Sequence, residues 1–450
     1  MLVQQKLKDY LNKDFVCSCG RTHRCNIKDI VLEKGALRQV VTLLHKHHYS
    51  RPLLVYDETT KEIAGKHLTQ LLEESSIEYA VYCFPYKTPV ADMEACLLLE
   101  RNLPQDTDVI IAVGSGTIND ICRFVSFQKK LNYFIFATAP SMDGFASDVS
   151  PLIVDSLKTT YSAQVPAAII GDLTILKDAP MNMIAAGAGD IFGKYTCLCD
   201  WRLAHAVTGE YYCEEIAGLV GHSIEVVAKS CGEIRTQKEE AVKRIMEGLI
   251  LSGIAMSFAG NSRPASGSEH HLSHYWEMMF LFDGKKAILH GTKVGIGTVL
   301  VLRLYELFQK EVLDFNTAEK SAVLFDRNRW EDLMQRLYRS AAGGVLKLED
   351  QIGKNAPEHV LERLAAVKER MPEIRASMEM LPKAAEVVSL LREVHAPVRP
   401  DQIGVSDEEV QGAVIAAKEL RNRYGLLQML YDFGLLETYA DKAVTLAKED

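Results

Sequence analysis

The stretch Val109-Ile110-Ile111-Ala112-Val113-Gly114-Ser115-Gly116-Thr117-Ile118 decides how this chain is read. Its apolar residues from Val109 to Val113 have the length and character of a buried strand, and a helical pattern follows from Ile118 through Phe127. Gly114 and Gly116 make a turn that lets the backbone approach a pyrophosphate, with the free N–H groups of the helix start pointing at it. The third glycine of the dinucleotide fingerprint is Asn119 here. A glycine turn between strand and helix is also a plain structural join, so the flanking segments must decide.

Outward from that turn, short apolar runs alternate with helix-like segments: Ile30 to Leu32, Leu53 to Tyr56, Ala80 to Phe84, Tyr133 to Ala137 and Ala167 to Ile170. The alternation predicts an α/β fold with a parallel, doubly wound, Rossmann-like sheet. After Asp172 to Leu176 and Pro180 the strand signal stops. From about Met181 the chain reads as helices rich in Ala, Leu, Glu, Lys and Met, such as Glu239 to Met256 and Glu358 to Met371. The expected division is an α/β nucleotide-binding domain over 1–180 and an all-α domain over 181–450 that carries metal and substrate. Gly260 to Gly267 and Gly353 to Pro357 are the expected loops.

With 450 residues, 48% hydrophobic and 25% charged, the chain has the composition of a globular enzyme-sized protein. A net charge of -9 argues against nucleic-acid binding and anionic membranes, yet leaves room for a local basic pocket. The charged opening residues lack the apolar core of a secretory signal, and no run is long enough for membrane insertion. The ten cysteines are scattered and predict reduced thiols in a cytoplasmic protein.

A second polar loop, Thr138-Ala139-Pro140-Ser141-Met142-Asp143-Gly144, follows the strand ending at Ala137. Ligands of open α/β sheets bind beyond the carboxyl ends of the strands, which puts Ser141, Asp143 and Ser147 in reach of a crevice there. Capping of a turn by Ser141 or Asp143 is the plain alternative. Asp57, just after Tyr56, is placed to bond an adenosine ribose hydroxyl, or is a surface turn acid.

Asp190 sits in the small, apolar stretch Gly187-Ala188-Gly189-Asp190-Ile191-Phe192-Gly193, where a carboxylate needs a cation. Lys194, one helical turn on, is one candidate partner; a metal is the other. In Ser266-Gly267-Ser268-Glu269-His270-His271-Leu272-Ser273-His274, the four-residue spacing puts His270 and His274 on one helix face. His290 follows in Leu289-His290-Gly291-Thr292-Lys293. One Asp with two His describes a mononuclear catalytic site with open positions, the remaining His binding substrate or relaying a proton. The spacing does not say which His takes which role. Near the N-terminus, Cys17-Ser18-Cys19-Gly20 with His23 and Cys25 has a CxC spacing shorter than the usual CxxC knuckle, and no second half follows, so reduced surface thiols are expected there.

The segments GSGTIND at 114–120, TAPSMDGFAS at 138–147, GAGDIFGK at 187–194, SGSEHHLSH at 266–274 and HGTKVGIGT at 290–298 resemble those of bacterial sn-glycerol-1-phosphate dehydrogenases of the AraM type. These belong to the iron-containing alcohol dehydrogenase and dehydroquinate synthase superfamily, and the resemblance spans roughly residues 15 to 400. It implies an N-terminal nucleotide domain, a helical C-terminal domain and an active site in the cleft. By position it implies Asp190, His270 and His290 as metal ligands, with Asp190 also near substrate. His274 and Asp143 are implied as substrate contacts. Asp57, Gly114, Ser115, Gly116, Thr117, Ile118, Thr138, Ala139, Pro140, Ser141 and Ser147 correspond to NAD(P) contacts. The Cys-x-Cys-Gly start also resembles that bacterial branch.

The implied reaction is the reversible, NAD(P)H-dependent reduction of dihydroxyacetone phosphate to sn-glycerol 1-phosphate, feeding glycerophospholipid-type synthesis in a homodimer. Asp with two His suits zinc, nickel or ferrous iron, and the bacterial branch implies nickel or zinc. His274 is the candidate proton relay, and Lys158, Lys194 and Arg263 are the candidate phosphate partners by proximity. The rival readings are a glycerol dehydrogenase, a 3-dehydroquinate synthase-like enzyme, and a non-catalytic nucleotide-binding scaffold.

Overall fold

The computed structural model describes residues 7–86, 89–154 and 157–449, except the side chains of 157 and 158. The chain forms two compact units: residues 1–191 with 215–261 and 393–395, and residues 192–214 with 262–392 and 396–450.

The centre of the first unit is a six-stranded sheet of β3 (Asp29–Glu33), β4 (Pro52–Tyr56), β5 (Ala80–Cys83), β6 (Val109–Gly114), β7 (Asn132–Ala137) and β10 (Ala168–Asp172). Spatially the order is β3-β10-β7-β6-β4-β5, and every neighbouring pair is parallel. All six apolar runs of the sequence fall on these strands. β4 and β6 are buried on both faces, which is why their sequences read as continuous apolar runs rather than alternations. On one face Leu54, Ile111, Phe134 and Ile170 meet Val40 and Leu44 of helix Gln39–Lys46 and Leu68 and Leu72 of helix Lys66–Glu74. On the other, helix Gly116–Gln128 reaches the sheet through Arg123, whose Nε donates to the Tyr133 hydroxyl at 2.9 Å.

The chain leaves β4 toward β5 and returns on the opposite side of β4 as β6, so its direction across the sheet reverses between them. In such sheets the carboxyl ends of the strands on either side of the reversal open a crevice. Asp57 follows β4 and Gly114 ends β6.

Two antiparallel hairpins have no counterpart in the sequence reading: Asp14–Val16 (β1) with Thr22–Arg24 (β2), and Val149–Val154 (β8) with Leu157–Ser162 (β9). The run Asp172 to Leu176 is a helical turn, because the Asp172 side chain accepts from the Thr174 N–H at 3.1 Å and caps it. Beyond β10 the described residues contain helices and no further strand. Helix Met181–Thr208 begins this region. Both expected loops lie outside helices and strands up to Pro357, where a helix begins.

The second unit is helical and organised on Ser268–Phe282, His290–Phe308, Pro357–Glu379 and the C-terminal helices Asp407–Ala416, Leu426–Asp432 and Leu436–Leu446. Gly297 lets the second of these helices lie on the first: a Cβ there would sit 2.7 Å from the Glu269 carbonyl oxygen. The tail after 400 is part of this packing, with Trp276 donating to the Glu409 carbonyl at 3.2 Å.

Candidate functional site

In the first unit the glycine turn and the 138–147 loop are tied together. Thr138 N–H donates to the Gly114 carbonyl at 3.0 Å, and the Ser115 and Ser141 hydroxyls are 2.6 Å apart. Gly114 cannot carry a side chain, since a Cβ would lie 2.8 Å from Cβ of Ile118. Helix Gly116–Gln128 starts at this turn, and the N–H groups of a helix's first residues have no acceptor within the helix itself. Asp57 caps the next turn by accepting from Thr60 N–H at 2.7 Å, and Ser147 bonds within its own loop to Val149.

The 138–147 loop is held against two helices by close backbone approach. A Cβ at Gly187 would fall 1.9 Å from the Pro140 carbonyl oxygen, and one at Gly253, on helix Glu239–Ala259, 2.7 Å from Ala146. That contact brings two acids of the sequence reading together: Asp143 N–H donates to Oδ2 of Asp190 at 2.9 Å. Asp143 accepts in turn from the Ser252 hydroxyl at 2.9 Å. Asp190 is fully buried, and one of its oxygens is oriented by the loop backbone.

In the second unit His270, His274 and His290 form a triangle. Ring centroids are 5.2 Å apart for His270–His290, 5.6 Å for His274–His290 and 6.2 Å for His270–His274. Nδ1 of His270 lies 2.7 Å from Oε1 of the buried Glu269. Burial raises the Glu269 pKa, but the His270 hydrogen bond and charge, the Thr196 hydroxyl and the Gly267 N–H outweigh it and hold the carboxyl below its ordinary value. An ionised acceptor on Nδ1 fixes the ring proton there and leaves Nε2 as a ligand atom, the arrangement of metal-binding imidazoles. Glu277 serves the other end of the triangle, 3.4 Å from His274 Nδ1 and 3.5 Å from the buried Lys293 ammonium.

Of the three cations chosen by proximity, Arg263 is engaged by a bidentate pair with Glu210 and by the Tyr424 carbonyl. Lys194 is fully buried and donates to the Ala265 carbonyl at 3.1 Å. The side chain of Lys158 lies outside the described residues. The sequence reading missed Arg423, whose hydrogen bonds among the described residues go to neutral groups, the Ser266 carbonyl at 3.0 Å and the Ser262 hydroxyl at 2.7 Å. The charge of Arg423 acts on His271, which is 6% exposed and whose Nε2 has no hydrogen-bond partner among the described residues. Burial first, then the charges of Arg423, Arg263, Arg421 and His274, push the His271 pKa well below its ordinary value. Positive charge from Arg421 and Arg423 thus accumulates around a neutral imidazole, with Glu210 spent on Arg263.

Residues 31–180 match the family model described as iron-containing alcohol dehydrogenase. A glycerol-1-phosphate dehydrogenase (NAD(P)+) of Geobacillus stearothermophilus is 33% identical over 97% of this chain and 100% of its own. One of Bacillus licheniformis is 32% identical over 96% of each chain. Among solved structures, glycerol dehydrogenase from Schizosaccharomyces pombe superposes with a TM-score of 0.60 at 16% identity, covering 93% of this chain and 90% of that one. This last likeness is one of fold. The chain belongs to the family of the glycerol-1-phosphate dehydrogenases.

Proposed function

We propose, from that membership, that the protein is a metal-dependent NAD(P)H oxidoreductase that reduces dihydroxyacetone phosphate to sn-glycerol 1-phosphate. The observation that carries the reading is the Glu269-oriented histidine triangle in a chain related to these enzymes over its whole length. Asp190, His270 and His290 are the proposed ligands of one divalent ion, nickel or zinc. The donor set suits it: a buried carboxylate and an imidazole whose second nitrogen is already engaged. The open turn at Gly114 to Ile118, with Asp57, Thr138 to Ser141 and Ser147, is the proposed dinucleotide site.

When bound, the metal supplies Lewis-acid polarisation of the ketone and the nicotinamide supplies the hydride that goes to C2. Asp143 and His274 are the proposed contacts for the substrate's hydroxyl and carbonyl oxygens, and His274 gives the proton that the C2 oxygen needs. For the phosphate we assign Arg423 and His271 Nε2, with Arg421 adding charge; a guanidinium is a strong partner for phosphate oxygens. The alkyl phosphate that results is consistent with a role in glycerolipid synthesis. A homodimer in the cytoplasm completes the proposal; among the described residues no helix is long and apolar enough to cross a membrane.

NADH and NADPH oxidation by the metal-reconstituted protein with dihydroxyacetone phosphate and with dihydroxyacetone, and NAD(P)+ reduction with free glycerol, test this reading. Turnover that requires the phosphate is expected. Turnover confined to dihydroxyacetone and, in the oxidative direction, free glycerol would replace it with the glycerol dehydrogenase reading.

A further inference from the structure

The N-terminal hairpin brings together residues whose spacing alone argued against a metal site. Cys17, Cys19 and His23 present their ligand atoms within 4.8 Å of one another. We infer that these three residues hold a second metal ion, a structural zinc, which is independent of the proposed catalytic site and of the function assigned to it.

Distances fit the ion. Tetrahedral zinc with Zn–S of about 2.3 Å and Zn–N of about 2.0–2.1 Å places sulfur and nitrogen roughly 3.5 Å apart. Sγ of Cys19 and Nε2 of His23 are 3.5 Å apart. The histidine is also oriented as a ligand: its Nδ1 lies 3.1 Å from the Phe258 carbonyl oxygen, which can only accept, so the ring proton sits on Nδ1 and Nε2 keeps its lone pair. The ring is 1% exposed and stacks on Phe258 at 5.5 Å.

The backbone between the ligands is built to present them together. Cys17 N–H donates to Arg21 O and Gly20 N–H to Cys17 O, both at 3.0 Å, and Gly20 at φ 84° supplies the left-handed turn after Cys19. A thiol–imidazole contact joins Cys19 and His23, and Cys17 brings a second sulfur to the same point. Cys25, by contrast, is 1% exposed, its thiol pushed up to about 11 mainly by burial, and it stands apart as a core residue.

A hairpin of two three-residue strands cannot hold itself by hydrogen bonds alone. Its aromatic contacts, Phe15 with Phe258 at 5.7 Å and Tyr10 with Phe258 at 6.3 Å, fix one side. Zinc fixes the other, two thiols each losing a proton on binding, and thiolate donors favour this ion over the hard cations. The three residues fill three of the four tetrahedral positions; water or a further thiolate takes the fourth.

The test uses the full-length protein reconstituted with cobalt, read in the near ultraviolet. Thiolate-to-cobalt charge transfer is expected, because the Asp190, His270 and His290 set contains no sulfur. The band should persist in the H270A/H290A variant and vanish in C17S/C19S, with zinc content falling by one ion per chain. Absence of the band in the parent protein would overturn the inference without any variant having to fold. So would its persistence in C17S/C19S.

Discussion

Oε1 of Glu269 lies 2.7 Å from Nδ1 of His270, its neighbour in sequence, and both side chains are buried. The carboxylate also accepts from the Thr196 hydroxyl at 2.6 Å and the Gly267 N–H at 2.8 Å. It is therefore fixed before any metal arrives and fixes the imidazole in turn. Glu269→Gln keeps the shape but removes the charge, and should weaken binding of the proposed catalytic metal about 10–100-fold. Chelator competition measures this; an unchanged dissociation constant would remove Glu269 from the role.

Among the described residues Arg423 donates to two neutral oxygens, the Ser266 carbonyl and the Ser262 hydroxyl. If its charge meets the substrate phosphate, Arg423→Met should raise KM for dihydroxyacetone phosphate by a factor of about 10–100, the scale of a hydrogen bond to a charged group. KM for dihydroxyacetone should not move. An equal loss with both ketones would mean that Arg423 only packs the loop.

Gly187→Ala places a methyl group 1.9 Å from the Pro140 carbonyl, a backbone atom with no rotamer to escape into. The loop carrying Asp143 must shift, at a cost on the order of 3 kcal/mol. A lower thermal midpoint and weaker NAD(P)H binding are expected together. A variant as stable as the parent would show that the approach is looser than the structure has it.

In the C-terminal tail Glu419 accepts from Trp330 at 3.1 Å and from Asn355 at 3.0 Å, and is paired with Lys418 and Lys354. Burial works to raise its pKa, but the two lysines outweigh it and hold it at about 2. The folded value is below the unfolded one, so the contribution is complete above about pH 4.3 and is lost as pH falls toward 2. Lys354, lowered to about 8 chiefly by burial, acts in the other window: stability rises as pH goes from about 8 toward the unfolded value near 10.4. Glu419→Gln should cost about 3–5 kcal/mol at neutral pH, because two buried ammonium groups lose their counter-charge. Thermal midpoints of parent and variant between pH 2 and 7 should converge at the acid end; a constant gap would contradict the assignment.

The central sheet was legible because its inner strands β4, β6, β7 and β10 are buried on both faces nearly throughout and show as unbroken apolar runs. Hairpin β8–β9 was not, since its burial is partial and Leu157–Ser162 reads as a polar segment. Asp190 and the histidines stood out as polar residues in apolar or clustered settings. Glu269 was hidden beside them, its meaning depending on which nitrogen it faces. Arg263 was chosen for its nearness in sequence, yet Glu210 claims it, while Arg423 comes to the same loop from 160 positions later through hydrogen bonds that leave no motif. Cys17, Cys19 and His23 were visible as a group, but their short CxC spacing and missing second half spoke against a metal, and their convergence depends on a hairpin of two three-residue strands that leaves no pattern in the sequence.

The most direct test of the central claim is the stereochemistry of the product. Dihydroxyacetone phosphate reduced by the metal-reconstituted protein with NADH should yield a glycerol phosphate that an sn-glycerol-3-phosphate-specific dehydrogenase cannot oxidise. A product that this second enzyme consumes completely would be the opposite enantiomer and would contradict the account.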